Sequence, residues 1–227
     1  MKNIVICKTP LRISLFGGGT DFKNHFIKNP SSVISFTINQ YIYIVLKKHN
    51  NKLFNEKYRL NYSSVENIRN VQNIKNKIIK NTILFKKIND PLYVSTISDV
   101  PGGTGLGSSS AFTVGLLNAI NKLQNRNSSK KKLAEEAAHI EIKMCKSPIG
   151  YQDQYAVSYG GINKINFNNK KIYVKNLSKY ESKINSLINN SICLWVGNTR
   201  KANNVLKIQK KNNSKNLYNL LEISHLN

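Results

Sequence analysis

Acidic residues are scarce in this chain. Of 227 residues only 11 are Asp or Glu, against 35 Lys and Arg, which leaves a formal net charge of +24. Arginine is scarce as well: it occurs only at 12, 59, 69, 126 and 200, so lysine carries the charge. Base-edge and bidentate phosphate recognition lean on arginine. The lysines are dispersed apart from short clusters such as Lys130-Lys131-Lys132, and no aromatic residues alternate with them as a stacking platform. The charge therefore argues against a nucleic-acid partner and for no more than a general attraction to phosphorylated small molecules. Cysteine is limited to Cys7, Cys145 and Cys193, an odd number of widely separated residues. That excludes a disulfide framework and metal-binding spacings, and it predicts a reducing compartment. Long apolar runs are missing. Ile4 to Cys7 is too short for a signal-peptide core, and nothing approaches the roughly 20 residues of a membrane span. No membrane partner is expected, and the expected location is cytoplasmic. There is no internal repeat, and the length allows one large domain or two small ones.

The glycines that are present are concentrated. Ser98-Asp99-Val100-Pro101-Gly102-Gly103-Thr104-Gly105-Leu106-Gly107-Ser108-Ser109-Ser110-Ala111 follows a strand-like run from Leu92. It precedes a helical pattern with Phe112, Leu116 and Ile120 on one line and Val114 and Leu117 beside them. Glycine lets the backbone turn tightly and approach a ligand. The new helix offers unpaired N–H groups and the positive end of its dipole. Together they make an anion cradle, and phosphate is the usual occupant. Gly102 and Gly107 match the outer glycines of G-x-x-x-x-G-K-[ST], but Ser108 stands at the lysine position, which argues against an ordinary P-loop. The local alternative is a helix end capped by serines.

A second glycine cluster closes the segment Thr9 to Phe22. Ile13 and Leu15 alternate with Arg12 and Ser14, then Gly17-Gly18-Gly19-Thr20-Asp21 breaks the strand. A carboxylate emerging from such a loop accepts several O–H bonds and suits a hydroxyl-rich substrate; the alternative is an Asx turn. A third cluster lies downstream. Leu133, Ala137, Ile140 and Met144 form one stripe of a helix over 130–144, with Glu141 beside it. Lys146-Ser147-Pro148-Ile149-Gly150 ends that helix, and Asp153 follows Glu141 by 153 − 141 = 12 residues. A solvated Glu and a capping Asp are the alternative here.

The remaining pattern predicts strands at 4–6, 12–16, 33–38, 41–46 and 92–99, and helices at 74–87, 108–123 and 130–144. Tyr41 to Leu46 is β-branched and aromatic like a buried strand. Ile162–Phe167 and Lys171–Val174 suggest a hairpin. The serines and lysines around 178–186 suggest a boundary, followed by a strand over Ser191–Val196 and a helix over Lys201–Lys211.

The three motifs together resemble the GHMP kinase superfamily. Pro101 to Ser110 is similar to its P-x-x-x-G-L-G-S-S-A motif, with Ser110 in place of alanine. Gly17 to Asp21 is similar to the G-x-x-T-D of its sugar kinases, and Glu141 with Gly150-Tyr151-Gln152-Asp153-Gln154 reproduces a Glu and G-x-x-D-Q spacing of its galactokinases. The three glycines, the Asp153-Gln154-Tyr155-Ala156 segment and Gly160-Gly161 look most like the members that act on D-glycero-D-manno-heptose 7-phosphate. The resemblance implies an α+β fold: an N-terminal domain of the ribosomal protein S5 domain 2-like type over 1–186, then the beginning of a ferredoxin-like C-terminal domain over 187–227. It implies ATP and Mg²⁺ as cofactors and a sugar phosphate as acceptor at its anomeric hydroxyl. Pro101, Gly102, Gly103, Thr104, Gly105, Leu106, Gly107, Ser108, Ser109 and Ser110 would hold ATP. Ser108 or Ser109, with Glu141, would hold Mg²⁺. Asp153 would accept the hydroxyl proton, as general base or as an orienting acceptor, with Arg12 beside it, and Gly18, Gly19, Thr20 and Asp21 would hold the sugar. Family members carry a third glycine-rich motif near their C-terminus. The last glycine here is Gly197, so the expectation is a chain that lacks that motif and most of its second domain. Its expected activity is then that of an incomplete sugar kinase, or of an inactive nucleotide-binding fragment; another GHMP sugar kinase, for galactose or fucose, is the alternative within the family.

Overall fold

A computed structural model describes residues 3–50 and 53–194. A seven-stranded sheet carries the molecule. Strand β1 (Ile4–Phe16) pairs antiparallel with β2 (Ser31–Lys48) along most of their length. The first part of β2 also pairs with β6 (Ile162–Phe167) and the second with β5 (Leu92–Ser98). Beyond β5 lie β3 (Tyr58–Asn61), parallel to it, and then β4 (Val65–Ile68); beyond β6 lies β7 (Ile172–Asn176). The path is β4-β3-β5-β2-β6-β7, with β1 on β2.

Two pairs of expected strands are thus single strands. β1 joins 4–6 to 12–16, and β2 joins 33–38 to 41–46, because the ladder tolerates a register shift where Pro10 pairs with Tyr41 but Arg12 with Thr37. Such irregularities re-aim the side chains beside them, and this one lies immediately before Arg12. The segment Tyr41 to Leu46 is not buried throughout. Ile42, Ile44 and Leu46 enter the core while Tyr41, Tyr43 and Val45 face the other way, half-buried. One face of this stretch is covered and the other is not, as in antiparallel sheets generally.

Helix α3 (Ser108–Leu123) lies against that covered face. Residues from Ser110 to Leu117 are buried without a break, so this helix is the centre of the core rather than a surface element. Its closest approach is at Gly115, where a β carbon would meet Thr9 Oγ1 and Ile44. Leu11, Ile44, Leu46, Leu60, Leu92, Leu116, Leu117 and Ile120 are all at most 1% exposed within this core. α2 (Lys77–Phe85) starts later than the expected 74 because Asn76 caps it, accepting from the N–H groups of Ile78 and Ile79.

The expected helix over 130–144 is two pieces: α4 (Lys130–Ala138), capped by Ser129, then one widened turn over His139–Met144. π turns of this kind gather at functional sites, and this one carries Glu141. Helix α5 (Gln152–Tyr159) packs against α4, β1 and β6, covering a second cluster of Phe26, Val33, Tyr155, Ile165 and Phe167. A short helix α1 (Lys23–Phe26) follows the first glycine cluster. The hairpin of β6 and β7 matches its expectation, with β7 extending to Asn176. The region expected as a boundary forms a 3₁₀ turn, Ser178–Tyr180, and α6 (Glu181–Asn189), which runs across the expected division at 186. Ser191–Leu194 is not strand. The rest of that expected strand and the Lys201–Lys211 helix lie outside the described residues. Among the described residues no helix is long and apolar enough to cross a membrane.

Candidate active site

Three of the eleven acidic side chains meet between β1, α3, the π turn and α5. The glycine-rich loop leaves β5 at Ser98 and enters α3 at Ser108. It turns on Gly103, Gly105 and Gly107, which adopt φ values of +82°, +78° and +76°. These are left-handed conformations that strain any residue with a β carbon. Gly107 stands at the N-terminus of α3 and no side chain caps that end. The Oγ1 of Thr104 is buried without a hydrogen-bond partner. An uncapped helix end, alternating left-handed glycines and an orphaned hydroxyl are what a bound phosphate chain would satisfy.

Arg12 clasps this loop to α5. Its backbone N–H donates to Leu106 O at 3.0 Å and its Nη1 to Gly105 O at 2.6 Å. Its Nε donates to Asp153 Oδ1 at 2.8 Å, and Nη2 lies 2.6 Å from the same oxygen. The guanidinium is a planar fork whose donors suit this division between the Gly105 carbonyl and the Asp153 carboxylate. Arg12 is buried, while Asp153 retains a quarter of its side-chain surface and so remains reachable from outside. Gly107 must be small here too, since a β carbon would press on the Arg12 side chain.

Glu141 is the most enclosed carboxylate, with no exposed surface. Ser109 Oγ donates to its Oε1 at 2.6 Å, while Ser110 Oγ and Gln154 Nε2 each donate to Oε2 at 2.7 Å. Burial pushes its pKa up, against the pull of these three donors. The structure therefore unites the expected metal ligands Ser109 and Glu141, and among the described residues Ser108 makes no bond to Glu141. A hydroxyl and one carboxylate, completed by phosphate oxygens and water, form a donor set that Mg²⁺ accepts. Ser110 and Gln154 were not foreseen in this role. Ser110 was expected to hold ATP and stood out as the one departure from the motif; its buried hydroxyl is instead turned to Glu141. Gln154, fully buried, was visible as the neighbour of Asp153.

The first glycine cluster arrives at the same place. Thr20 does not point outward: it is fully buried, its Oγ1 donating to Gly17 O at 2.7 Å. Gly18 is exposed and Gly19 buried. Asp21 is 2% exposed, and its Oδ2 accepts the Gln152 N–H at 3.0 Å, capping α5 from across the fold. Gly150 is required beside it, because a β carbon would collide with that carboxylate. Four residues on, buried His25 leaves both ring nitrogens unpaired, and burial lowers its pKa.

Burial raises Asp21 from its ordinary 3.8 to about 6, with the charge of Asp153 adding to the effect. The folded state then holds this proton more tightly than the unfolded chain does. Asp21 contributes its full stability below about pH 4 and loses it as the pH rises through about 6. Two pKa units correspond to about 3 kcal/mol. Asp21→Asn is therefore expected to melt higher than the parent at pH 7 and level with it near pH 4. Thermal unfolding at both pH values checks this; an equal gap at the two would remove ionisation as the cause.

The relatives point the same way. Residues 71–161 match the GHMP kinases N terminal domain. The chain is 33% identical over 215 residues to the D-glycero-alpha-D-manno-heptose 7-phosphate kinase of Campylobacter jejuni, an alignment that takes in 89% of this chain and 62% of that protein. It is 26% identical over 156 residues to the galactokinase of Thermotoga petrophila, covering 67% of this chain and 43% of that one. The chain thus spans less than two thirds of either relative. A crystal structure of a D-glycero-D-manno-heptose 1-phosphate kinase from Bacteriodes thetaiotaomicron superposes with a TM-score of 0.71 at 22% identity, over 97% of this chain and 74% of that one; at that identity it is the fold that is shared.

Proposed function

This chain carries the N-terminal domain of the GHMP kinases, and from that premise we propose that it transfers the γ-phosphoryl group of ATP to a sugar phosphate. The acceptor we favour is the anomeric hydroxyl of D-glycero-D-manno-heptose 7-phosphate, giving the 1,7-bisphosphate and ADP. The observation that carries the reading is the clasp of Arg12 on both the glycine-rich loop and Asp153. It holds a carboxylate and a guanidinium together beside the glycine-rich loop, which supports their reading as proton acceptor and charge partner at a phosphate site.

In this reading the N–H groups at the start of α3 and along the Gly103 to Ser109 loop bind the phosphates. Asp153 accepts the proton of the sugar hydroxyl as its oxygen bonds to phosphorus and the bond to ADP breaks. Arg12 holds Asp153 in place and balances charge on the transferring group. Phosphoryl transfer asks for little more than such positioning and neutralisation. Mg²⁺, held by Ser109 and Glu141, would supply further charge neutralisation on the phosphates. Gly18, Gly19 and Asp21 would border the sugar, with Thr20 shaping their turn from within. The galactokinase match favours as second reading an unphosphorylated hexose acceptor.

The test is ADP release measured against heptose 7-phosphate, galactose and fucose while Mg²⁺ is titrated. Glu141→Gln and Ser109→Ala are expected to raise the half-saturating Mg²⁺ by about tenfold or more, by analogy with the loss of groups that orient a metal site. Ser108→Ala, which lacks the contact to Glu141, should leave it unchanged. The same Mg²⁺ dependence in all three variants would remove the metal assignment, and turnover with galactose alone would favour the second reading.

A further inference from the structure

A cavity of about 520 Å³ opens at the end of the sheet away from the glycine-rich loop. It lies where β3 and β5 begin, at the pairing of Tyr58 with Leu92, whereas the loop follows Ser98 at the other end of β5. The seven residues of β5, at about 3.3 Å each, put roughly 20 Å between the two places. The volume is within the range of small-molecule sites.

The chemistry of the walls is one-sided. Tyr58, Ile83 and Ile88 make a buried apolar floor. Lys57, Arg69 and Lys87 stand around it, and no Asp or Glu lines the cavity. None of these three cations joins an ion pair among the described residues. Arg69 is oriented by one bond, Nε to Asn55 O at 2.9 Å, which leaves its other donors without a protein acceptor. Three uncompensated cations over a low-dielectric floor concentrate positive potential in the cavity.

Lys87 makes the arrangement more than a scatter of surface lysines. α2 ends in a reverse turn in which the Lys87 N–H donates to Leu84 O and the Ile88 N–H to Ile83 O, both at 3.1 Å. Lys87 has a φ of +51°. That position ordinarily takes glycine, because a β carbon is strained there. The chain accepts the strain and gains a cation on the cavity wall.

We propose that this cavity is a second anion site, separate from the ATP cradle, for a phosphate ester small enough to lay its organic part on the Tyr58 floor. The phosphate is held by Lys57, Arg69 and Lys87. α2, which supplies one wall, also bonds through Asn81 to Cys145, at the end of the π turn of Glu141.

Amide spectra of the ¹⁵N-labelled chain, titrated with inorganic pyrophosphate, test this directly. The expected result is a saturable shift of the Lys57, Asn70 and Lys87 amides, fitted separately from any shift of residues 102–109. Lys87→Gly is the decisive variant, because it removes the cation and relieves the turn. It should melt no lower than the parent and yet weaken binding at this cluster at least about fivefold, the effect of one unit charge at 4 Å even in full solvent screening. Arg69→Gln should act in the same direction, and Lys175→Gln, on the exposed side of β7, should not. Shifts confined to the glycine-rich loop, unsaturable shifts at lysines everywhere, or parental affinity in Lys87→Gly would each overturn the proposal. The loop amides report on the nucleotide reading in the same spectra, so failure of that reading leaves a different signature.

Discussion

Asp153→Asn is expected to lower turnover by about 10²–10⁴-fold, the usual contribution of a positioned general base, with ATP binding close to the parent's. The substitution keeps the shape of the side chain and removes the proton acceptor. Asp153 sits one residue inside α5, whose first N–H is held by Asp21, and its own carboxylate is held by Arg12 at 2.6–2.8 Å. It is therefore fixed from both sides yet still a quarter exposed. The proposed nucleotide cradle draws on the loop and α3 and not on Asp153, so equilibrium binding of ATP should change little. Initial rates and a nucleotide-binding isotherm on the same preparation separate the two effects. Near-parental turnover would remove Asp153 from the mechanism.

Gly17→Ala is expected to produce the largest loss of stability among single substitutions around the site. Gly17 has a φ of +82°, and a β carbon there would collide with the carbonyl oxygen of Ser32 in β2. The left-handed conformation costs about 1–2 kcal/mol for an L-residue, and overpacking adds typically about 1–3 kcal/mol. A sum of about 3 kcal/mol corresponds to a fall in Tm of about 6–12 °C for a chain of this size. The Gly17 carbonyl also receives both the N–H and the hydroxyl of Thr20, so the same change disturbs the turn that delivers Asp21. Gly18→Ala is the internal control: its β carbon meets nothing within 4 Å, and its melting point should stay within a degree or two of the parent's. Equal melting of both variants would show that the turn tolerates a β carbon.

The strand Leu92–Ser98, the glycine-rich loop and the helix Ser108–Leu123 were legible because local chemistry decides them. A dense run of glycine and serine between a strand-like run and a 3.6-residue apolar period has few other solutions. Asp153 and Arg12 were legible in a different way. They lie 141 residues apart, and no periodicity brings them together; only the resemblance of the motifs paired them. The continuity of β2 was hidden because Asn39 and Gln40 interrupt its strand-forming residues, and only pairing to β1 shows one strand with a register shift. Strands β3 and β4, four residues each and rich in polar side chains, were missed because so short a run carries too little alternation to stand out, and α5 because its buried face mixes Gln154 with Tyr155, Ala156 and Val157. The π turn at Glu141 has no sequence signature. Ser110 shows the limit most clearly. The departure from alanine was visible, but its use as a donor to Glu141 depends on a contact 31 residues along the chain.

The position of the new phosphate on the sugar is the most direct test of the central claim. With ATP, Mg²⁺ and D-glycero-D-manno-heptose 7-phosphate, ³¹P spectra of the reaction are expected to show ADP growing with a second sugar phosphorus coupled to the anomeric proton, both growing about 10²–10⁴-fold more slowly in the Asp153→Asn protein. A new phosphorus signal at any other carbon, ADP accompanied only by inorganic phosphate, or no consumption of ATP would contradict the account.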